Sequence, residues 1–144
     1  MQFTHILLPV DGSVYSENAA RYAVYLAKMS GARITAVSCY EWCGHMAEMS
    51  ETVIEELKKK LAQESRTVLE ETSELLKKEG VEHEVKLERG APGTVLTKLA
   101  KSKEYDLIIM GSHGHSDIAG LFLGSVTHKV LNTIYCPVLV VPEE

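Results

Sequence analysis

The sequence predicts an α/β protein built on a parallel β-sheet with helices covering both faces. Three observations carry that prediction. Short, nearly unbroken apolar runs, HILLPV (5–10), DLIIM (106–110) and PVLVV (137–141), read as strands buried on both sides. Segments of helical period separate the strands, so consecutive strands need crossovers rather than hairpins. The runs end in polar or glycine-marked turns, PVDGS and GSHG among them. With 144 residues, 45% of them hydrophobic, the chain is long enough for a real core and reads as one globular domain over 1–144.

The elements follow in order. HILLPV is the first strand and runs into a turn at Pro9, Asp11 and Gly12. From about Ser16 to Ser30, Ala19, Ala20, Ala23, Leu26 and Ala27 recur at helical spacing, and Gly31 stops the helix. RITAVSCY (33–40), rich in β-branched and small residues, is the second strand. EWCGHMAEM (41–49) is a looser stretch, in which Trp42, Met46 and Met49 serve either as a lid or partner surface or as local packing. A long polar helix spans about Ser50 to Glu79, with Ile54, Leu57, Leu61, Val68 and Leu75 as its apolar stripe and Gly80 as its end. VEHEVKLE (81–88) places Val81, His83, Val85 and Leu87 on one face, the pattern of a strand near a sheet edge. A helix opens near Pro92, a residue suited to a first turn, and DLIIM is the next buried strand. SVTHKVLNTI (125–134) is the last helix and PVLVV the last strand.

The balance of charge limits function. The formal net charge is −5, from 15 basic and 20 acidic residues, which argues against a sequence-independent nucleic-acid binder. The apolar runs are far too short to cross a bilayer. The opening MQFTHILLPVDG has neither a basic n-region nor a small-residue cleavage site, so a cytoplasmic location is expected. Three cysteines, Cys39, Cys43 and Cys136, form no disulfide framework. Cys39, Cys43 and His45 lie close together, but a zinc site normally needs four ligands, so no metal centre is expected there.

Open α/β sheets bind ligands in the crevice outside the carboxyl ends of their strands. The stretch GSHGHSDIAGLFLGS (111–125) occupies such a position and holds four of the chain's ten glycines. Gly111 and Gly114 can let backbone N–H groups approach anionic oxygens, while Gly124 and Ser125 open a helix whose N-terminus favours phosphate. Two such elements suit a ligand with more than one phosphate. No lysine follows these glycines, which excludes a Walker A loop, and G-x-G-x-x-G is absent, which excludes a Rossmann dinucleotide fingerprint. From the residues alone, a phosphate cradle and a purely structural long turn both stand. Gly114 and Gly124 are expected in surface turns.

Gly111-x-x-Gly114, nine residues, then Gly124-Ser125 resembles the G-2x-G-9x-G-[S/T] signature of ATP-binding universal stress proteins. ILLPVDGS (6–13), SENAARYAVYLA and CPVLVVP are also similar to segments of that family, so the likeness spans almost the whole chain. The resemblance implies a five-stranded parallel sheet of order 3-2-1-4-5 with a Rossmann-like fold, a homodimer, and ATP in the cleft with Mg2+ on its phosphates. Carried over by position, it implies Asp11 beside the ribose, Pro9 shaping that turn and Val37 against adenine. It places Met110, Gly111, His113 and Gly114 on the phosphate side, with Gly124, Ser125 and Val126 closing on the phosphates. Each has a plainer alternative: Asp11 as a turn or helix-capping residue, Val37 and Met110 as core, and His113 and His115 as solvated loop residues.

The resulting expectation is an ATP-binding regulatory protein of the stress response. The glycine stretch contains no lysine or arginine and only Asp117 as an acid, so it lacks the charge stabilisation that phosphoryl transfer needs. At most weak hydrolysis is expected, with His113 the nearest polar candidate. The alternatives are a slow ATPase or nucleotidyl-transfer enzyme, and an interaction module that binds AMP or a cyclic nucleotide.

Overall fold

The computed structural model describes residues 1–41 and 49–144. Its elements are β1 (His5–Pro9), α1 (Val14–Ser30), β2 (Arg33–Tyr40), α2 (Glu51–Lys78), β3 (His83–Arg89), α3 (Pro92–Lys101), β4 (Leu107–Gly111), α4 (Ser125–Asn132) and β5 (Val138–Val141). The strands form one parallel sheet in the order β3-β2-β1-β4-β5, as the resemblance implied. Alternate residues of the central strands enter two different cores, which is why these strands read as continuous apolar runs. Ile6 and Leu8 of β1, with Ile34, Ala36 and Ile109, pack under α1 and α2. Leu7, with Val37, Ile108 and Met110, packs under α3 and α4 against Leu96 and Val130. Burying one such aliphatic side chain contributes roughly 1.5–3 kcal/mol.

Local chemistry sets the ends. Ser13 caps α1 by accepting the Ser16 N–H at 3.2 Å, and Gly31 ends it in the left-handed conformation at φ 76°. Ser50 accepts the Val53 N–H and starts α2, and Pro92 opens α3. Several expected boundaries shift by a residue or two. Asp106 lies just before β4, its N–H donating to the His5 carbonyl at 3.0 Å while its carboxylate accepts the Thr4 N–H and hydroxyl, each at 2.8 Å, and the His5 N–H at 3.2 Å. Residues 133 and 134 fall outside α4.

Two expected faces are corrected. The fully buried face of α2 is Ala62, Ser65, Leu69, Thr72 and Leu76, and the expected stripe of Ile54, Leu57, Leu61, Val68 and Leu75 flanks it half-buried. On β3, Val81 is buried just before the strand, but Val85, on the same face as Ala36 and Leu87, is exposed at the edge of the sheet. Among the described residues no helix is long and apolar enough to cross a membrane.

Candidate functional site

The carboxyl ends of β1 and β4 are adjacent in the sheet, so the turns after them face each other. Past Pro9, the Val10 N–H donates to the Val37 carbonyl at 2.9 Å and carries the β1–β2 pairing into the turn. One Asp11 carboxylate oxygen accepts the Ser13 N–H at 2.9 Å, an Asx turn, and the other accepts the His115 N–H at 3.1 Å. The capping role belongs to Ser13. Asp11 fixes the turn and ties it to the glycine-rich loop.

That loop closes on itself at its base. The Ser112 N–H donates to Val141, and the Gly124 N–H returns to the Ser112 carbonyl, both at 2.8 Å. His113 has both ring nitrogens engaged: Nδ1 is 2.9 Å from the Ser112 hydroxyl and Nε2 is 2.8 Å from the Leu121 carbonyl. A carbonyl only accepts, so Nε2 carries a proton and donates to Leu121, leaving Nδ1 paired with the Ser112 hydroxyl. The ring also lies 5.1 Å from that of Tyr15. His113 therefore latches the loop and is not a solvated residue, whereas His115 is exposed.

Gly111 differs from expectation. It is the last residue of β4, and a Cβ there would lie 2.6 Å from Tyr15 Cβ and 2.9 Å from the Tyr15 carbonyl carbon. Its missing side chain makes room for the first turn of α1 and not for an anion. Its carbonyl accepts the hydroxyl of buried Thr127, a contact the sequence reading missed.

The anion-holding geometry lies further along. Gly124 is the N-cap of α4 and has no side chain to satisfy the helix's first N–H groups. Asp117 does so from within the loop. One of its oxygens accepts the Ser125 N–H at 3.1 Å and the Ser125 hydroxyl at 3.2 Å; the other accepts the Gly114 N–H at 2.6 Å. Burial works to raise the Asp117 carboxyl, but these three donors outweigh it and hold it below its usual range. A Cβ on Gly124 would run into the Asp117 carboxylate and lie 2.9 Å from His113 Cα. Gly124 is thus buried and not in an open surface turn. A Cβ on Gly114 would lie 2.7 Å from an Asp11 carboxylate oxygen and 3.7 Å from Asp117.

Of the residues singled out in the sequence, Asp11, His113, Gly114, Gly124 and Ser125 converge on this polar cluster. Pro9 and Val37 are partners in the β1–β2 register, and Met110 lies on β4. Val37 and Met110 are buried in the core under α3 and α4, with Val126 packed against it, which is the plainer of the two roles expected for Val37 and Met110. Asp117 was visible in the sequence only as the lone acid of the stretch. The signal that marks it is its spacing, three residues after Gly114 and eight before Ser125.

Two cavities lie elsewhere. One of about 250 Å3 is bordered by Gly12, Arg21, Val68 and Glu71 between α1 and α2; another of about 210 Å3 is bordered by Tyr40, Lys59, Arg66 and Arg89. Neither is lined by the glycine-rich stretch. Cys39 is half-buried, and burial together with Glu88 pushes its thiol up to about 11, out of the range of a reactive thiolate. Trp42, Cys43, His45 and Met46 lie outside the described residues.

The model of the universal stress protein family matches residues 2–142. The chain belongs to that family. A universal stress protein of Methanocaldococcus jannaschii is 33% identical over 142 residues, covering 96% of this chain and 82% of its own length. One from Bacillus subtilis is 33% identical over 146 residues, covering 96% and 99%. Among solved structures, the universal stress protein UspA of Lactobacillus plantarum superposes with a TM-score of 0.88 at 25% identity, covering 98% of this chain and 99% of its own. A universal stress protein solved in complex with cAMP superposes with a TM-score of 0.74 at 26% identity, with both chains covered in full.

Proposed function

We propose that this universal stress protein binds an adenine nucleotide, ATP with Mg2+ on its phosphates, between the β1–α1 turn and the β4–α4 loop. Occupancy then biases a conformation or a partner contact in a stress response. The observation that carries this reading is the convergence of the Gly114 N–H, the Ser125 N–H and the Ser125 hydroxyl on a single carboxylate. A carboxylate edge presents two anionic oxygens much as a phosphate does, so this set of donors is matched to an oxyanion at a helix N-terminus. Asp11 lies beside it with a carboxylate suited to a ribose hydroxyl. Pro9, Val37 and Met110 form the apolar side for adenine, and Gly111, His113, Gly124 and Val126 hold the frame. Among the described residues no group of three acidic, histidine or cysteine side chains is placed to hold a metal ion, so Mg2+ would be held chiefly by the phosphates. His113 has no ring nitrogen to spare for acid–base work, which supports a binding protein over an ATPase or nucleotidyl transferase.

A second reading, AMP or a cyclic nucleotide as the ligand, is favoured by the absence of lysine and arginine from 111–125, where a triphosphate has no cationic partner. The relative solved with cAMP supports it too. Mass spectrometry of nucleotide released from the purified, denatured protein, with calorimetry using ATP, AMP and cAMP, separates the two. Release of no adenine nucleotide, with no heat from any of the three, would overturn both. The cytoplasm as its location, and a homodimer through Val138–Val141, complete the proposal.

A further inference from the structure

We propose that Asp117 is a built-in competitor for the phosphate position, which must swing out before an anion enters and which weights the site against highly charged nucleotides. The inference rests on the nucleotide reading above and deepens it. Asp117 takes both of the separate donor sets that a phosphate would use, the Gly114 N–H on the glycine turn and the Ser125 N–H and hydroxyl on α4. Among the described residues no other side chain caps α4, so the carboxylate replaces the ligand in the free protein. A triphosphate and Asp117 cannot share these few donors.

The second part of the argument is charge. The oxygens of Asp11 and Asp117 both lie within 4 Å of the point where a Gly114 Cβ would be. No lysine or arginine in 111–125 offsets them. An entering anion therefore meets two carboxylates at short range, and the repulsion grows with its charge. Adenosine is indifferent to this, a monophosphate feels it moderately and ATP most.

The third part is that the competitor can leave. Residues 118–122 are exposed, Gly120 has φ 92°, and Ile118 and Phe122 are 75% and 94% exposed, so little packing holds the segment that carries Asp117. The Asp117 carboxylate has no salt bridge among the described residues and is held by these three donors. Its own N–H donates to the Gly114 carbonyl at 3.3 Å and His113 holds the Leu121 carbonyl, so it is the side chain that turns away while the backbone stays anchored. Apparent affinity then falls by the fraction of molecules in which the carboxylate has moved aside. In the presence of Mg2+ the phosphate charge is partly neutralised, which makes Mg2+ the natural key for ATP.

The test is calorimetric titration of adenosine, AMP and ATP, with and without Mg2+, into the parent protein, Asp117→Asn and Asp117→Ala. Removing the charge should raise the ratio of ATP to adenosine affinity about tenfold or more, with AMP between. A ratio that stays constant or falls in both variants overturns the inference, while adenosine and ATP binding by the parent leaves the nucleotide reading intact. If adenosine, AMP and ATP all fail to bind any of the proteins, the nucleotide reading falls instead. Inorganic pyrophosphate still reads Asp117 in that case: the Gly114 and Ser125 amide resonances should respond at lower pyrophosphate concentration in Asp117→Asn than in the parent. Equal response in the two proteins, or none in either, overturns the inference.

Discussion

Asp11 holds two backbone N–H groups, from Ser13 and His115, and leaves α1 to be capped by Ser13. Replacing it with alanine therefore removes two hydrogen bonds near the surface and should cost about 1 kcal/mol of stability. If its carboxylate also accepts a ribose hydroxyl, Asp11→Ala should bring the affinities for ATP and its 2′,3′-dideoxy analogue together. Calorimetry with both nucleotides checks this, and an unchanged preference would remove Asp11 from the ribose site. Gly124 makes a different demand. Its φ of −67° is open to any residue, so the constraint is space: a side chain there meets the Asp117 carboxylate and the His113 backbone. Gly124→Val should weaken ATP binding by well over ~1 kcal/mol and, since backbone cannot yield as a side chain can, destabilise the fold by about 1–3 kcal/mol. Parent-like ATP affinity in this variant would show that the α4 N-terminus is not part of the cradle.

At the level of elements, Asp106 joins the start of β1 to the start of β4 through the Thr4 N–H and hydroxyl and the His5 N–H. Burial would raise its carboxyl, but those donors outweigh burial and hold it below the usual carboxylate range. A depressed carboxyl in the folded protein adds stability that is fully present above the ordinary carboxyl value and is lost as pH falls through the depressed one. Asp106→Ala should thus cost about 1–2 kcal/mol at neutral pH, and urea unfolding curves of parent and variant should draw together at strongly acid pH. A gap that persists there would mean the loss is one of packing. The element ends were legible in the sequence because their cause is local: Gly31 must adopt φ 76°, Pro92 suits a first turn, and β1 enters two cores and so reads as unbroken. The face of α2 was not. Its closest approach to the sheet uses Ala62, Ser65 and Thr72, small residues that no apolar stripe picks out. At 28 residues it is about 42 Å long against about 26 Å for β2, so its first turns have little sheet beneath them. Leu76, fully buried, lies where the sheet is, and Leu76→Ala should cost about 2–5 kcal/mol in the same urea assay. The site was legible to a similar depth. Gly114, Gly124 and Ser125 carry their spacing in the chain, whereas the partner of Gly111 is Tyr15, far off in sequence, and the bonds of Asp117 go to backbone that leaves no pattern.

Across the whole molecule the sheet has two edges, and their chemistry differs. The β3 edge carries Glu84, Lys86, Glu88 and Arg89, charges that discourage pairing with another strand. The β5 edge reads Val138, Leu139, Val140, Val141, with no charge and with Pro137 and Pro142 at its limits. Pro137 and Val141 direct their carbonyls to Ile108 and Ser112, so alternation along the strand turns the N–H and C=O groups of Val138 and Val140 outward. Ile134 and Tyr135, 62% and 39% exposed, lead into that edge and extend the apolar surface. We predict a two-fold dimer in which residues 138–141 of two copies pair antiparallel, an isologous contact. Because the Val140 N–H faces away from β4, Val140→Pro removes a donor from the pairing and none from the protein's own sheet. The variant should sediment as a monomer with its melting transition close to that of the parent monomer, while the parent sediments as a dimer at tens of micromolar. A parent protein that sediments as a monomer at that concentration would leave β5 as a plain edge.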